Sequence, residues 1–214
     1  MTVASVWKKF AVGEPGTNPN FTPPECRPLP TVSHVSHVST AIRIVEDRRL
    51  RADFVSDQSK LNTERIRVVW MSPNDWANGF RYGNVRFTFD WPGLLEGKRA
   101  YWVESIAYGV EACRILVTDK DHSSMLEPYD PSLADGPWSF SMSTGHRWNA
   151  KHCLEIMVEG DVPFTALRSV DFVKHHNSFC CVDPSACASR GVSADDAGAE
   201  FLALSSSVPE AMQL

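Results

Sequence analysis

The chain has 214 residues, 43% hydrophobic and 22% charged, with a formal charge of −5. That length supports one sizeable core, or a core with a tail, so a single domain is the default reading. The acidic balance argues against a broad electrostatic grip on duplex nucleic acid, and no run of about 18 apolar residues offers a membrane-spanning helix. The opening MTVASVWKKF places its lysines after its apolar residues and holds no apolar leader, so a soluble, cytoplasmic protein without a membrane partner is expected. Of six cysteines, Cys180, Cys181 and Cys187 crowd into one late segment, a usage that points to reduced thiols rather than a disulfide framework.

In chain order, residues 11–30 hold six prolines and two glycines, which forbid a helix and most sheet pairing. Residues 1–30 therefore read as an extended arm or lid. From Thr31 the residues alternate through His34 and Ser36, a short strand, after which Ser39 or Thr40 can cap a helix with Ile42, Ile44, Val45 and Leu50 as its apolar positions. Arg43, Arg48, Arg49, Arg51, Arg65 and Arg67 cluster in sequence and read first as a solvated helix face and loop. RVVWMS (67–72) is a buried-strand run stopped by Pro73, with a polar turn or short helix at 74–79. Residues 84–90 alternate with Val85, Phe87 and Phe89 on one face, and further strands are expected at 100–106, 114–118, 154–158 and near 170–173.

Between these, residues 119–151 are polar, proline-bearing and aperiodic, and read as a long irregular connection of the kind that often serves as a lid. After Cys187 the composition turns to Ala, Ser, Asp and Gly, so 183–214 reads as a weakly ordered tail around a single domain at 31–182. Many short strands and few helices give an α+β fold dominated by antiparallel sheet.

The side chains able to do chemistry are His34, Ser36, His37, Ser72, Tyr82, Glu104, His146, His152 and Glu155. Glu155 is the most informative carboxylate, since it interrupts the apolar strand CLEIMV and must face a cleft or solvent; burying it unpaired costs several kcal/mol. Its plain alternative is an exposed strand position, and Glu104 in WVES shares that ambiguity. His175, His176, Cys180, Cys181 and Cys187 are zinc-ligating residue types without a regular Cys-x-x-Cys pair.

Taken in order, HVSH (34–37), the helix after it, VWMSP (69–73), LEIMV (154–158) and Val162-Pro163 resemble the ADP-ribosyltransferase superfamily, nearest to the DarT-type enzymes that modify DNA bases. The resemblance covers roughly residues 31–173 and rests on short motifs in a shared order. It implies an ADP-ribosyltransferase-like fold of split, mainly antiparallel sheets. It also implies NAD as substrate, release of nicotinamide, and transfer of ADP-ribose to a macromolecular acceptor, a nucleic acid base or a protein, with single-stranded nucleic acid favoured.

On this resemblance Glu155 is the catalytic carboxylate that favours the oxocarbenium-like ribose. His34 with Ser36 contacts the dinucleotide, with His37 as second choice; Trp70 or Tyr82 stacks on nicotinamide near Ser72; Arg67 or Arg51 balances the pyrophosphate. A toxin or defence effector with an antitoxin or immunity partner belongs to the same reading. The alternatives are a non-catalytic nucleotide-binding module, in which Glu155 is merely solvated, and a zinc-stabilised interaction module.

Overall fold

A computed structural model describes residues 26–36, 38–56, 59–74, 85–107, 111–150 and 153–172. Its elements are β1 (Cys26–Pro28), β2 (Thr31–Ser36), α1 (Val38–Asp47), β3 (Arg49–Leu50), β4 (Asp53–Phe54), α2 (Lys60–Thr63) and β5 (Arg67–Met71). β6 (Val85–Asp90), α3 (Trp91–Leu95), β7 (Arg99–Ala107), β8 (Glu111–Thr118), β9 (Glu127–Pro128), β10 (Trp138–Ser141) and β11 (Gly145–Asn149) follow. β12 (Cys153–Glu159), β13 (Val162–Pro163) and β14 (Leu167–Phe172) complete the described chain. Mainly antiparallel sheet with a few short helices makes an α+β architecture, and among the described strand pairs β8 with β12 is parallel while the others are antiparallel.

The largest sheet has six strands in the order β4-β5-β12-β8-β7-β9. Its centre is apolar on both faces: Leu154, Ile156 and Val158 of β12 and Ile115 and Val117 of β8 enter the larger core cluster, while Met157 and Leu116 enter a smaller one with Leu61, Val68 and Tyr101. A central strand covered on both sides needs such a continuous apolar run. A three-stranded sheet, β14-β6-β2, lies against the larger cluster, and the alternation of β6 explains its orientation: Val85, Phe87 and Phe89 are each 0% exposed, with half-buried residues between them.

Helix α1 buries Ala41 and Ile44 while Arg43 and Glu46 stay exposed, an amphipathic arrangement. It stops at Arg48, which takes a left-handed conformation (φ 53°) with its N–H bonded to Val45 O, a common helix ending.

Two sequence expectations are corrected. Residues 119–151 are not an irregular connection: they supply β9, a 3-10 turn at Pro131–Leu133, and a hairpin of β10 and β11 with Trp138 opposite Trp148. Tyr129 and Trp138 stack at 5.6 Å between ring centres and Trp102 stacks on Tyr129 at 6.3 Å, so aromatic packing, rather than an aliphatic pattern, holds this segment. Proline content also does not keep the end of the 1–30 arm out of a sheet. Cys26–Pro28 pairs with β11 as an edge strand, where a missing N–H is tolerated, and Leu29 behind it is 1% exposed.

The two main sheets meet through one bridge, in which the N–H of Ser33 bonds Ser72 O at 2.8 Å and the N–H of Ser72 bonds Ser33 O at 3.0 Å. β2, β5 and β12 thereby stand side by side. No described helix is long and apolar enough to cross a membrane.

Candidate active site

At this junction Ser33, His34 and Val35 of β2, Trp70, Met71 and Ser72 at the end of β5, and Glu155 of β12 line a cavity of about 120 Å³. His34 also forms part of a neighbouring groove of about 700 Å³ whose charged lining is Arg43 and Arg51 with Glu46, Asp47 and Asp53. The first volume is too small for a dinucleotide, given that ligand pockets usually run from roughly 300 to 1,000 Å³, whereas the groove on the other side of the shared His34 lies within that range.

His34 is fixed by a 2.9 Å hydrogen bond between Nδ1 and the carbonyl oxygen of Trp70. A carbonyl only accepts, so Nδ1 carries the proton. Burial holds the imidazole below the ordinary histidine range, against the opposing effect of that hydrogen bond. At neutral pH Nε2 is therefore an unprotonated acceptor.

Glu155 is set where one face of the central sheet turns from apolar to charged. On that face Met157 of β12 lies between Leu116 of β8 and Trp70 of β5, and one step further along Glu155 lies opposite Arg114. Arg114 Nε donates to Glu155 Oε2 at 2.7 Å, and Arg114 Nη1 donates to Glu104 Oε1 at 2.7 Å. The guanidinium carbon also lies 4.8 Å from the centre of the Trp70 ring. The side chains of Arg114, Glu155 and Glu104 are 7%, 18% and 32% exposed, so the guanidinium is buried between two partly buried carboxylates. Glu155 lines the cavity with Oε2 anchored by Arg114, and no hydrogen bond to Oε1 is seen among the described residues.

The strand end beneath Glu155 is held by side chains. The β5–β12 pairing ends at Met71 and Ile156, and beyond it Asn74 Oδ1 accepts the Leu154 N–H at 3.0 Å. Ser72 Oγ lies 2.7 Å from Asn74 Oδ1 and 2.8 Å from Leu154 O, its hydroxyl proton in reach of both acceptors, and it accepts the Asn74 N–H at 3.1 Å.

Four residues expected from sequence, His34, Trp70, Ser72 and Glu155, thus share one cavity, with Arg51 in the adjoining groove. Ser72 contributes there as a buried brace. Arg51 is engaged by Asp47 through bonds of 2.7 and 2.9 Å. Ser36, the last residue of β2, is buried opposite Val85 and does not line the cavity, although the adjacent Val35 does; Ser33 lines it, with its hydroxyl 3.3 Å from that of Thr88. Arg67 sits at the other end of β5, donating to Ala52 O and lining a separate cavity of about 570 Å³ with Lys120 and Glu159. His37, Tyr82, His152 and the late His/Cys cluster lie outside the described residues, and His146 packs in the hairpin, accepting from Trp138 Nε1 at 3.1 Å.

Sequence reading missed Arg114, Asn74 and Ser33. The signal for Arg114 was present, an arginine interrupting the apolar run CRILV. No family model, curated protein or solved structure matches this chain.

Proposed function

We propose that the chain is a NAD-dependent mono-ADP-ribosyltransferase with an ADP-ribosyltransferase-like fold. The observation that carries this reading is the convergence of His34, Trp70 and Glu155 from three strands on a small cavity that shares His34 with a larger groove lined by both arginines and acids. The small cavity suits one planar ring and its ribose, and the groove suits the rest of a dinucleotide, with Arg43 and Arg51 as the positive groups near its phosphates.

In this reading the free Glu155 oxygen accepts a ribose hydroxyl and favours the positive charge that develops as the glycosidic bond to nicotinamide breaks. The bonding electron pair leaves with nicotinamide, an acceptor heteroatom bonds the ribose carbon, and the acceptor proton passes to solvent. His34 Nε2 is placed to accept from a hydroxyl of the substrate. The Trp70 ring, with Arg114 against it, offers an aromatic surface at the cavity.

The acceptor we propose is a macromolecule, with single-stranded nucleic acid ahead of protein, and an antitoxin or immunity partner accompanies that reading. Trp138 and Trp148 are 3% and 6% exposed and serve the core, so they are not stacking surfaces for bases. Incubation with NAD labelled in its adenylate half, together with single-stranded DNA, RNA or protein in separate reactions, tests the proposal. Label on one of these fractions with stoichiometric nicotinamide release is expected. Label confined to intact NAD would refute it and leave the non-catalytic nucleotide-binding module.

A further inference from the structure

We propose that a second cavity, between the β10–β11 hairpin and the start of β7, binds a nucleotide unit, its base against Phe140 and His146 and its phosphate against Lys98 and Arg99. The cavity measures about 510 Å³, within the usual range of ligand pockets. It shares no lining residue with the cavity of Glu155, so its occupancy does not depend on NAD cleavage.

Cross-strand pairing builds the aromatic wall. Phe140 of β10 lies directly opposite His146 of β11, and their ring centres are 4.5 Å apart. Tyr101, Tyr129 and Trp138 also line the cavity, but they are nearly buried, and Tyr129 and Trp138 are stacked on each other. The half-buried Phe140 and His146 are the rings left for a ligand. Trp138 acts there through its indole N–H, which donates to His146 Nδ1 at 3.1 Å. Burial holds the imidazole below the ordinary histidine range, so at neutral pH its one proton sits on Nε2. No hydrogen bond from Nε2 is seen among the described residues, which leaves a donor for an acceptor atom of a base.

The charges at the cavity sort in the same direction. Its acids are already engaged. Asp121 accepts the Ser123 N–H at 2.9 Å and the Tyr101 hydroxyl at 3.1 Å and pairs with Arg99 at 3.3 Å, while Asp130 accepts the Ser132 N–H at 2.9 Å. Lys98 forms no ion pair among the described residues, and the exposed Arg99 guanidinium has more N–H donors than Asp121 takes up. The groups left over are two rings, a neutral donor and cations. A flat, acceptor-bearing ring joined to an anion matches them, and a nucleotide has both parts. That chemistry comes either from a free nucleoside monophosphate or from one unit of a single strand, whose bases stack on aromatic side chains while cations follow its phosphates.

Isothermal titration calorimetry of the full chain tests this with uridine monophosphate, uridine, inorganic phosphate and a short oligouridylate, a base that NAD does not contain. Uridine monophosphate should bind, with uridine and phosphate each weaker by about 10-fold or more. Phe140→Ala should weaken the mononucleotide by about 5- to 100-fold, the scale of losing one base–aromatic stack. Lys98→Gln should weaken it by about 10-fold, the scale of one charge-assisted hydrogen bond, and leave uridine unchanged. His34→Gln should bind as the parent does. Melting temperatures check folding, and if Phe140→Ala does not fold, the exposed-side variant Lys98→Gln decides. Tighter binding of oligouridylate than of the mononucleotide identifies a strand as the source, and binding no tighter identifies the free nucleotide; the site stands in both cases. No binding of either up to millimolar concentration, affinities indifferent to Lys98→Gln, or binding lost in His34→Gln would overturn the proposal.

Discussion

Replacing Asn74 with Ala removes a single acceptor atom, and its effect can be worked from the strand end it serves. Asn74 Oδ1 takes the Leu154 N–H at 3.0 Å just past the last β5–β12 pair, and Leu154 is 0% exposed. Without that oxygen a buried N–H has no partner, a loss of about 1–3 kcal/mol. For a protein of this size each kcal/mol moves the melting temperature by about 2–4 °C, so a fall of about 2–12 °C is expected. Thermal unfolding followed by circular dichroism reads the total, and hydrogen exchange at the Leu154 amide reads its location. Asn74→Asp keeps an oxygen at the same place and should retain most of the stability. If Asn74→Ala melts with the parent protein and the Leu154 amide stays equally protected, the side chain is not continuing the ladder, and the account of how Glu155 is held fails.

Three other perturbations give expected outcomes. Burial pushes the Glu159 carboxyl up, but hydrogen bonds from Lys120 and Thr118 at 2.6 Å and the contact with His122 at 2.7 Å outweigh it, so its pKa lies below the ordinary value of 4.5. Its contribution is present above that value and is lost as pH falls through the lower folded value; Glu159→Gln should flatten the acid limb of denaturant midpoints taken against pH. His34 has a folded pKa below the ordinary 6.5, so its contribution is constant above 6.5 and stability declines as pH drops below it. Burial also depresses His146, so the part of that decline removed by His34→Gln must be measured in a His146→Gln background. A Cβ on Gly136 would lie 2.3 Å from Tyr129 Oη, inside the aromatic stack, so Gly136→Ala should destabilise by about 1–3 kcal/mol in chemical denaturation.

Period-2 alternation made β6 legible, because Val85, Phe87 and Phe89 all enter one core while the residues between them do not. It also made Glu155 legible as a carboxylate on a strand face. What it could not show was a break in the period. Counted along β7, Glu104 shares a face with Trp102, and only the bulge at Val103 brings it beside Arg114. The hairpin of β10 and β11 was hidden for another reason: its buried positions are Trp138, Trp148 and Asn149, set among serine, histidine and arginine, which read as a polar loop. Similarly, Ser36 looked like the partner of His34 because it is two residues away on the same strand face, but its side chain is buried opposite Val85 and the cavity is lined by Ser33 to Val35, where Ser33 meets Ser72. The strand order that brings β2, β5 and β12 together is set by contacts distant in sequence, which no local pattern encodes.

The most direct test is nicotinamide release from NAD by the wild-type protein beside Glu155→Gln, with acceptor present and folding checked by melting temperature. The account predicts turnover by the wild type and a loss of about 100-fold or more in kcat for the variant, the scale of removing a group that stabilises developing charge. Equal release by the two folded proteins, or none by the wild type, would contradict it.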